Sequence, residues 1–260
     1  MRILITNDDG INAPGLIAMT AIAHELAGPT GEVWTIAPAQ ERSGVGHCIS
    51  YTNPMLITKL SDRRYAIEGN PADCVLAGLY HVMADQKPDL ILSGVNRGNN
   101  SAENVLYSGT IGAAMEGALQ GVPSFALSQY FGPKNAKLDD PFGASIIHGA
   151  NVVRSILSAQ PPERDDYRLF YNINFPPVAA DQVLGRRVVR QGRRQGSNFS
   201  AQPHKTASGR EFLFIQGGDQ HVPAAPDTDV QSNLEGYISV TPLRADMTAY
   251  DALDHLRTDT

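Results

Sequence analysis

Short apolar runs alternate with stretches of helical spacing through the first two thirds of the chain. Ile3-Leu4-Ile5 opens it, and Gly10, Asn12 and Pro14 follow, the pattern of a buried strand that ends at a loop. Over residues 16–26 apolar side chains recur at helical intervals. Val33-Trp34-Thr35-Ile36-Ala37 forms a second strand closed by Pro38, and Tyr65-Ala66-Ile67 another. Residues 71–83 read as a helix, with Pro71 at its start and Asp73 in the first turn, where the helix dipole favours an acid. Leu90-Ile91-Leu92 is a core strand ending in Ser93-Gly94-Val95-Asn96. A small-residue helix (110–120), a strand (122–127), a helix (142–157) and a strand (169–175) continue the series. Such alternation predicts an α/β fold, a Rossmann-like, doubly wound and mostly parallel sheet with helices on both faces.

The pattern changes near Arg186. Residues 197–231 are polar and rich in Gly and Pro, with one apolar island at Phe212-Leu213-Phe214-Ile215. A structureless loop of that length is unusual inside a compact domain, so a projecting hairpin arm is expected. Tyr237-Ile238-Ser239-Val240-Thr241-Pro242 returns as a strand before a short C-terminal helix. The expected division is an α/β core over 1–185, with arm, returning strand and tail over 186–260.

Composition narrows the class. The chain has 260 residues, 42% of them hydrophobic, enough for a sizeable core. A net charge of −6 argues against a surface built for a nucleic-acid polymer, while leaving room for a small phosphate ligand held locally. Arg186, Arg187, Arg190, Arg193 and Arg194 form the basic cluster, read as a salt-bridged strand leading into the arm rather than an anion lining. Cys48 and Cys74 lack metal-type spacing and read as reduced, buried thiols. The N-terminus reads as a strand rather than a basic region with a long apolar stretch, so no signal peptide is expected, and no window reaches membrane-span length. A cytoplasmic protein without membrane partners is expected.

Asn7-Asp8-Asp9-Gly10 then stands out. It places two adjacent carboxylates at the carboxyl end of a strand, where open α/β sheets bind ligands. Their charges repel, and a hard divalent cation compensates with oxygen ligation. Three more loops follow predicted strands and can reach the same edge. They are Ala37 to His47 (with Glu41-Arg42-Ser43-Gly44), Gly94-Val95-Asn96-Arg97-Gly98-Asn99-Asn100, and Tyr107-Ser108-Gly109-Thr110 opening the helix of Met115 and Glu116. Helix N-termini present amides and a positive dipole end to phosphate, and Ser108 and Thr110 add hydroxyls. Cation ligands beside anion donors are what metal-assisted phosphate-ester chemistry requires. Each loop also has an ordinary reading. An Asp of the pair can cap a helix; Ser43, Asn96 and Asn100 can serve turns; Ser108-Gly109-Thr110 is an acceptable cap; His47 can be a hydrogen-bonded packing residue rather than a general base.

Taken together the segments resemble one family, the survival-protein SurE nucleotidases. The resemblance rests on Ile5-Thr6-Asn7-Asp8-Asp9-Gly10-Ile11, Glu41-Arg42-Ser43-Gly44-Val45-Gly46-His47, Gly69-Asn70-Pro71-Ala72-Asp73-Cys74-Val75, Ser93-Gly94-Val95-Asn96-Arg97-Gly98, Tyr107-Ser108-Gly109-Thr110 and Gly236 to Pro242, in that order. Ser101-Ala102-Glu103-Asn104 departs from the family's usual Gly- and Asp-containing stretch, and the tail beyond Leu243 transfers nothing. The resemblance implies one divalent cation per subunit, Mg²⁺ or Mn²⁺, held by Asp8, Asp9, Ser43 and Asn96. It implies phosphate or active-site contacts from Asn100 and Ser108, with Gly109, Thr110 and Asn96 beside them. Asp8, Asp9, Asn100 and Ser108 would carry catalysis. It further implies a 5′-nucleotidase hydrolysing 5′- and 3′-nucleoside monophosphates, in some members short polyphosphate, and a homodimer or homotetramer in which the arm crosses to a neighbour. A cation-activated water is the expected nucleophile.

Two other phosphate chemistries fit less well. A phosphorylation-dependent receiver module needs an Asp at a later strand end and a Lys further on, where this chain offers Ser93-Gly94-Val95-Asn96 and Ser128-Gln129. A haloacid-dehalogenase phosphatase needs a nucleophilic Asp at position 7, where an amide stands. Dinucleotide binding fails for want of Gly-x-Gly-x-x-Gly after the first strand.

Overall fold

A computed structural model describes residues 1–159, 166–196 and 199–257. Ser197, the expected start of the polar arm, and residues 258–260 of the tail lie outside the described residues.

Strand β1 (Arg2–Thr6) explains why its sequence is an unbroken apolar run. Ile3 and Ile5 point into one core cluster and Leu4 into another, all three fully buried, because successive side chains face opposite sides of the sheet and both sides are covered. The chain then runs outward through α1 (Pro14–Ala27), β2 (Glu32–Pro38), β3 (Ile57–Ser61) and β4 (Arg64–Ile67). After α2 (Pro71–Ala77) it crosses back to β5 (Leu90–Arg97) and proceeds the other way. A short α3 (Asn104–Tyr107), α4 (Gly109–Leu119), β6 (Ser124–Gln129), α5 (Gly143–Ala159) and β7 (Phe170–Phe175) complete this half. β8 (Arg186–Val188), β9 (Ser200–Lys205), β10 (Glu211–Gln216), α6 (Asp229–Leu234), β11 (Ile238–Leu243) and α7 (Tyr250–Arg257) follow.

The nine-stranded sheet has the order β3-β4-β2-β1-β5-β6-β7-β11-β8. From β4 to β7 all neighbours are parallel; β3 is antiparallel to β4, and β11 is antiparallel to β7. Helices α1 and α5 cover one face, and α2 and α4 the other. The order reverses between β1 and β5, so the loops leaving these two strands diverge and open a crevice. The doubly wound expectation holds. Among the described residues no helix is long and apolar enough to cross a membrane.

Several details differ from expectation. The sheet continues past position 185: β11 inserts between β7 and β8, and β8 pairs parallel to it, so the arm springs from within the sheet rather than from a separate unit. The helix expected over 71–83 stops at Ala77 and widens into a π-type turn over Gly78–Val82. Cys48 is exposed; only Cys74 is buried. The arm itself is an antiparallel hairpin of β9 and β10 with every residue exposed, including Phe212, Leu213, Phe214 and Ile215 at 51–62%.

Candidate active site

Four loops meet at the carboxyl ends of β1, β2 and β5. They enclose a cavity of about 260 Å³ lined by Asp8, Asp9, Ser43, Asn96, Asn100 and Ser108. Glu41, Arg97, Asn104 and Tyr107 complete its rim.

The acidic pair is set by local backbone chemistry. Asn7 donates from Nδ2 to Gly10 O at 2.9 Å, and Gly10 adopts a φ of 98° that an L side chain rarely takes. This tight turn presents Asp8 inward and Asp9 to the cavity. Asp8 is buried, and both its oxygens accept from Thr110: Oδ1 from the hydroxyl at 2.7 Å, Oδ2 from the amide at 3.1 Å. Burial pushes its carboxyl up to about 6, with the Asp9 charge adding and the Thr110 bonds opposing. Asp9 is also raised, first by burial and then by Glu41, against the Arg97 amide that donates to its Oδ2 at 3.1 Å. Gly109 has to be glycine, since a Cβ there would stand 3.0 Å from Asp8 Cβ and 2.9 Å from Pro71.

The remaining groups show their polar atoms' roles. Asn96 donates from Nδ2 to Gly98 O at 3.0 Å, which leaves Oδ1 as a cavity-facing acceptor. Ser43 donates to Glu41 Oε1 at 2.7 Å and keeps its oxygen lone pairs. Asn100 gives one Nδ2 hydrogen to Ser128 at 2.8 Å and retains the other. Ser108 caps α4, accepting from Ile111 N at 3.1 Å, so its own hydroxyl hydrogen is available to an anion at the helix start.

The structure thus gathers Asp8, Asp9, Ser43, Asn96, Asn100 and Ser108 around one space. Gly109 and Thr110 stand behind it: Thr110 is fully buried and its hydroxyl and amide hold Asp8, while Gly109 makes room for that carboxylate. His47 is hydrogen-bonded, its Nε2 2.6 Å from Glu116 Oε2, which together with Gly46 N to Tyr107 O (2.8 Å) moors the Ser43 loop on α3 and α4.

The sequence model described as "Survival protein SurE" matches residues 3–198. A protein named 5′-nucleotidase SurE from Ruegeria pomeroyi is 66% identical over 257 residues, 99% of each chain, and one of the same name from Roseobacter denitrificans is 66% identical over 97% of each. The chain belongs to the SurE family. Among solved structures, the SurE protein from Aquifex aeolicus superposes with a TM-score of 0.80 at 32% identity, covering 99% of both chains.

The donor set of this SurE-family site fits a hard divalent cation. Two carboxylates, an amide oxygen and a hydroxyl oxygen are all oxygen ligands, and both carboxyls are raised, first by burial and then by a neighbouring negative charge, Asp9 on Asp8 and Glu41 on Asp9. Among the described residues no group of three or more His, Cys, Asp or Glu is placed to hold a metal ion by itself.

The residues that brace the loop were not legible. Arg194 has a fully buried side chain that donates to Asn99 Oδ1 (2.6 Å), Ser101 O (3.0 Å) and Glu103 (3.3 Å). Asp229 accepts from Ala102 N and Gly192 N, holding Ala102 at a φ of 52°. Asn174 and Asn172 bind the Asn100 backbone at 2.7 Å each. The visible signal was the polar alternation Asn172-Ile173-Asn174 in a buried strand; Arg194 was seen only as part of a basic run.

Proposed function

We propose that this chain is a divalent-cation-dependent phosphomonoesterase that hydrolyses nucleoside 5′-monophosphates, and 3′-monophosphates and short polyphosphate by the same chemistry. Its relatives' name, 5′-nucleotidase, supports the substrate class. The observation that carries the reading is the facing of two opposite demands across one cavity: the Asp8–Asp9 pair calls for a cation, and the Ser108-capped start of α4 calls for an anion.

Asp8, Asp9, Asn96 and Ser43 would hold one Mg²⁺ or Mn²⁺ per subunit, which when bound supplies charge neutralisation on the ester and a lowered pKa for water. Ser108 donates its hydroxyl hydrogen, and Asn100 its second Nδ2 hydrogen, to the phosphate oxygens. Asp9, whose Oδ2 accepts from the Arg97 amide, would take the proton from the attacking water on its other oxygen while the bond from phosphorus to the nucleoside oxygen breaks, that oxygen leaving as a hydroxyl with a proton from solvent. Thr110 keeps Asp8 oriented from behind. The hairpin arm, exposed along both strands and carrying the apolar island Phe212 to Ile215, supports a homo-oligomer, dimer or tetramer, in which a neighbouring subunit covers it.

Phosphate release across a panel of nucleoside monophosphates, with chelator and after adding back Mg²⁺ or Mn²⁺, tests the reading. Turnover is expected to vanish with chelator and return with either cation. Full turnover in metal-stripped protein, or no release from any nucleotide, would sink it.

A further inference from the structure

The arginine cluster at the root of the arm divides in two. Arg186 donates to Ser155, Arg187 pairs with Glu235, and Arg194 is buried against Asn99, Ser101 and Glu103. Arg190 and Arg193 are exposed and make no side-chain hydrogen bond or ion pair among the described residues. Arg63 and Arg154, also at the surface, pair with Glu32 and Glu25. Both unpaired arginines line one cavity of about 470 Å³, larger than the one at Asp8 and Asp9. Its lining contains no acid: Gln195 is neutral, and Pro223, Ala224 and Ala225 supply an apolar wall.

The backbone around this cavity is held before any ligand arrives. Asp229 N donates to Arg190 O at 3.0 Å, and Gly192 N donates to Asp229 Oδ1 at 2.8 Å. The Thr228 hydroxyl donates to Ala225 O at 2.7 Å, and the Ala224 amide to the Gln231 side chain at 3.2 Å. The same segment grips the loop beside the catalytic cavity. Gln191 Nε2 donates to Ala102 O at 2.8 Å, and Asp229 Oδ2 accepts from Ala102 N at 3.0 Å. That loop carries Asn100 and Asn104 to the catalytic cavity.

Two positive charges without a counter-charge, in a chain of net charge −6, make an anion receptor. Planar guanidinium forks match phosphate oxygens, and two forks on one cavity call for more than one phosphate. We propose that this cavity is a second, non-catalytic anion site that takes a ligand with two or more linked phosphates on Arg190 and Arg193, and that its occupancy stiffens the loop over residues 99–104.

Calorimetric titration of inorganic triphosphate into the chelator-treated full chain tests the site without turnover, so its outcome is independent of the catalytic reading. Wild type is expected to bind, and Arg190→Gln with Arg193→Gln to weaken binding roughly tenfold for each arginine. The double variant removes no side-chain partner of the folded protein and should melt like wild type. Ser108→Ala should leave the affinity unchanged, which separates this site from the α4 start. Adenosine 5′-triphosphate distinguishes the sources of the ligand: tighter binding than inorganic triphosphate puts a nucleoside against the Pro223–Ala225 wall, and equal or weaker binding makes a bare phosphate chain the ligand. Amide exchange over residues 99–104 should slow about fivefold or more on saturation in wild type only. No saturable binding to wild type, an affinity that the double variant keeps, or one that Ser108→Ala abolishes would overturn the site; unchanged exchange at saturation would overturn the coupling.

Discussion

Asp8→Asn should stabilise the metal-free protein and destroy the benefit it gains from metal. Asp8 is 4% exposed, and burial moves its carboxyl from an ordinary 3.8 to about 6. At about 1.4 kcal/mol for each pH unit, ionised Asp8 opposes folding by about 3 kcal/mol at pH 8 when no cation is bound. The sign follows from the direction of the shift. A folded-state value above the unfolded one favours folding at low pH, and that advantage is lost as pH rises from 3.8 through about 6. Asn removes the charge but keeps one acceptor for Thr110, so about 1 kcal/mol of hydrogen bonding is lost against the gain. The net, about 2 kcal/mol, corresponds to a rise of about 4–8 °C in Tm for a chain of this size. Thermal unfolding with chelator, at equal protein concentration, reads it at pH 8 and pH 4. The variant should melt higher at pH 8 and lose that lead at pH 4. With saturating Mg²⁺ or Mn²⁺ the wild type should rise and the variant should not, since only ligand binding to the folded state shifts the equilibrium. A chelated variant melting at or below wild type at pH 8, or an unchanged gap at pH 4, would refute the reasoning.

Two further outcomes are expected. Ser108→Ala removes the hydroxyl donor at the α4 start, so turnover should fall about 100-fold with the cation affinity measured by titration unchanged; turnover within a factor of three of wild type would remove Ser108 from the phosphate site. The exposed apolar hairpin should be buried between subunits, so solution mass at micromolar concentration should be a multiple of 28.0 kDa, and Phe212→Lys with Phe214→Lys should lower it; a monomeric, active wild type would count against this.

The sequence by itself determined the strand–helix alternation, because Ile3-Leu4-Ile5 and Leu90-Ile91-Leu92 are apolar without a break only if both sheet faces are covered. It also marked the loops that carry chemistry, since turn residues beside paired acids leave a local signature at Asn7-Asp8-Asp9-Gly10. Tertiary structure decided the rest. Whether Thr110 touches phosphate or Asp8 depends on how closely α4 approaches β1, a distance governed by Gly109 and Pro71 rather than by any local pattern. Whether Arg194 is a surface charge or the buried brace of the Asn99–Glu103 loop depends on contacts some ninety residues apart, |i−j| being 95 for its bond to Asn99. The extension of the sheet past Arg186 has the same origin: β8 and β11 are short and only partly apolar, and what makes them strands of the sheet is the pairing of β11 with β7 and of β8 with β11. Local spacing encodes elements and turns; side-chain partners across the sheet are fixed only when the whole chain has packed.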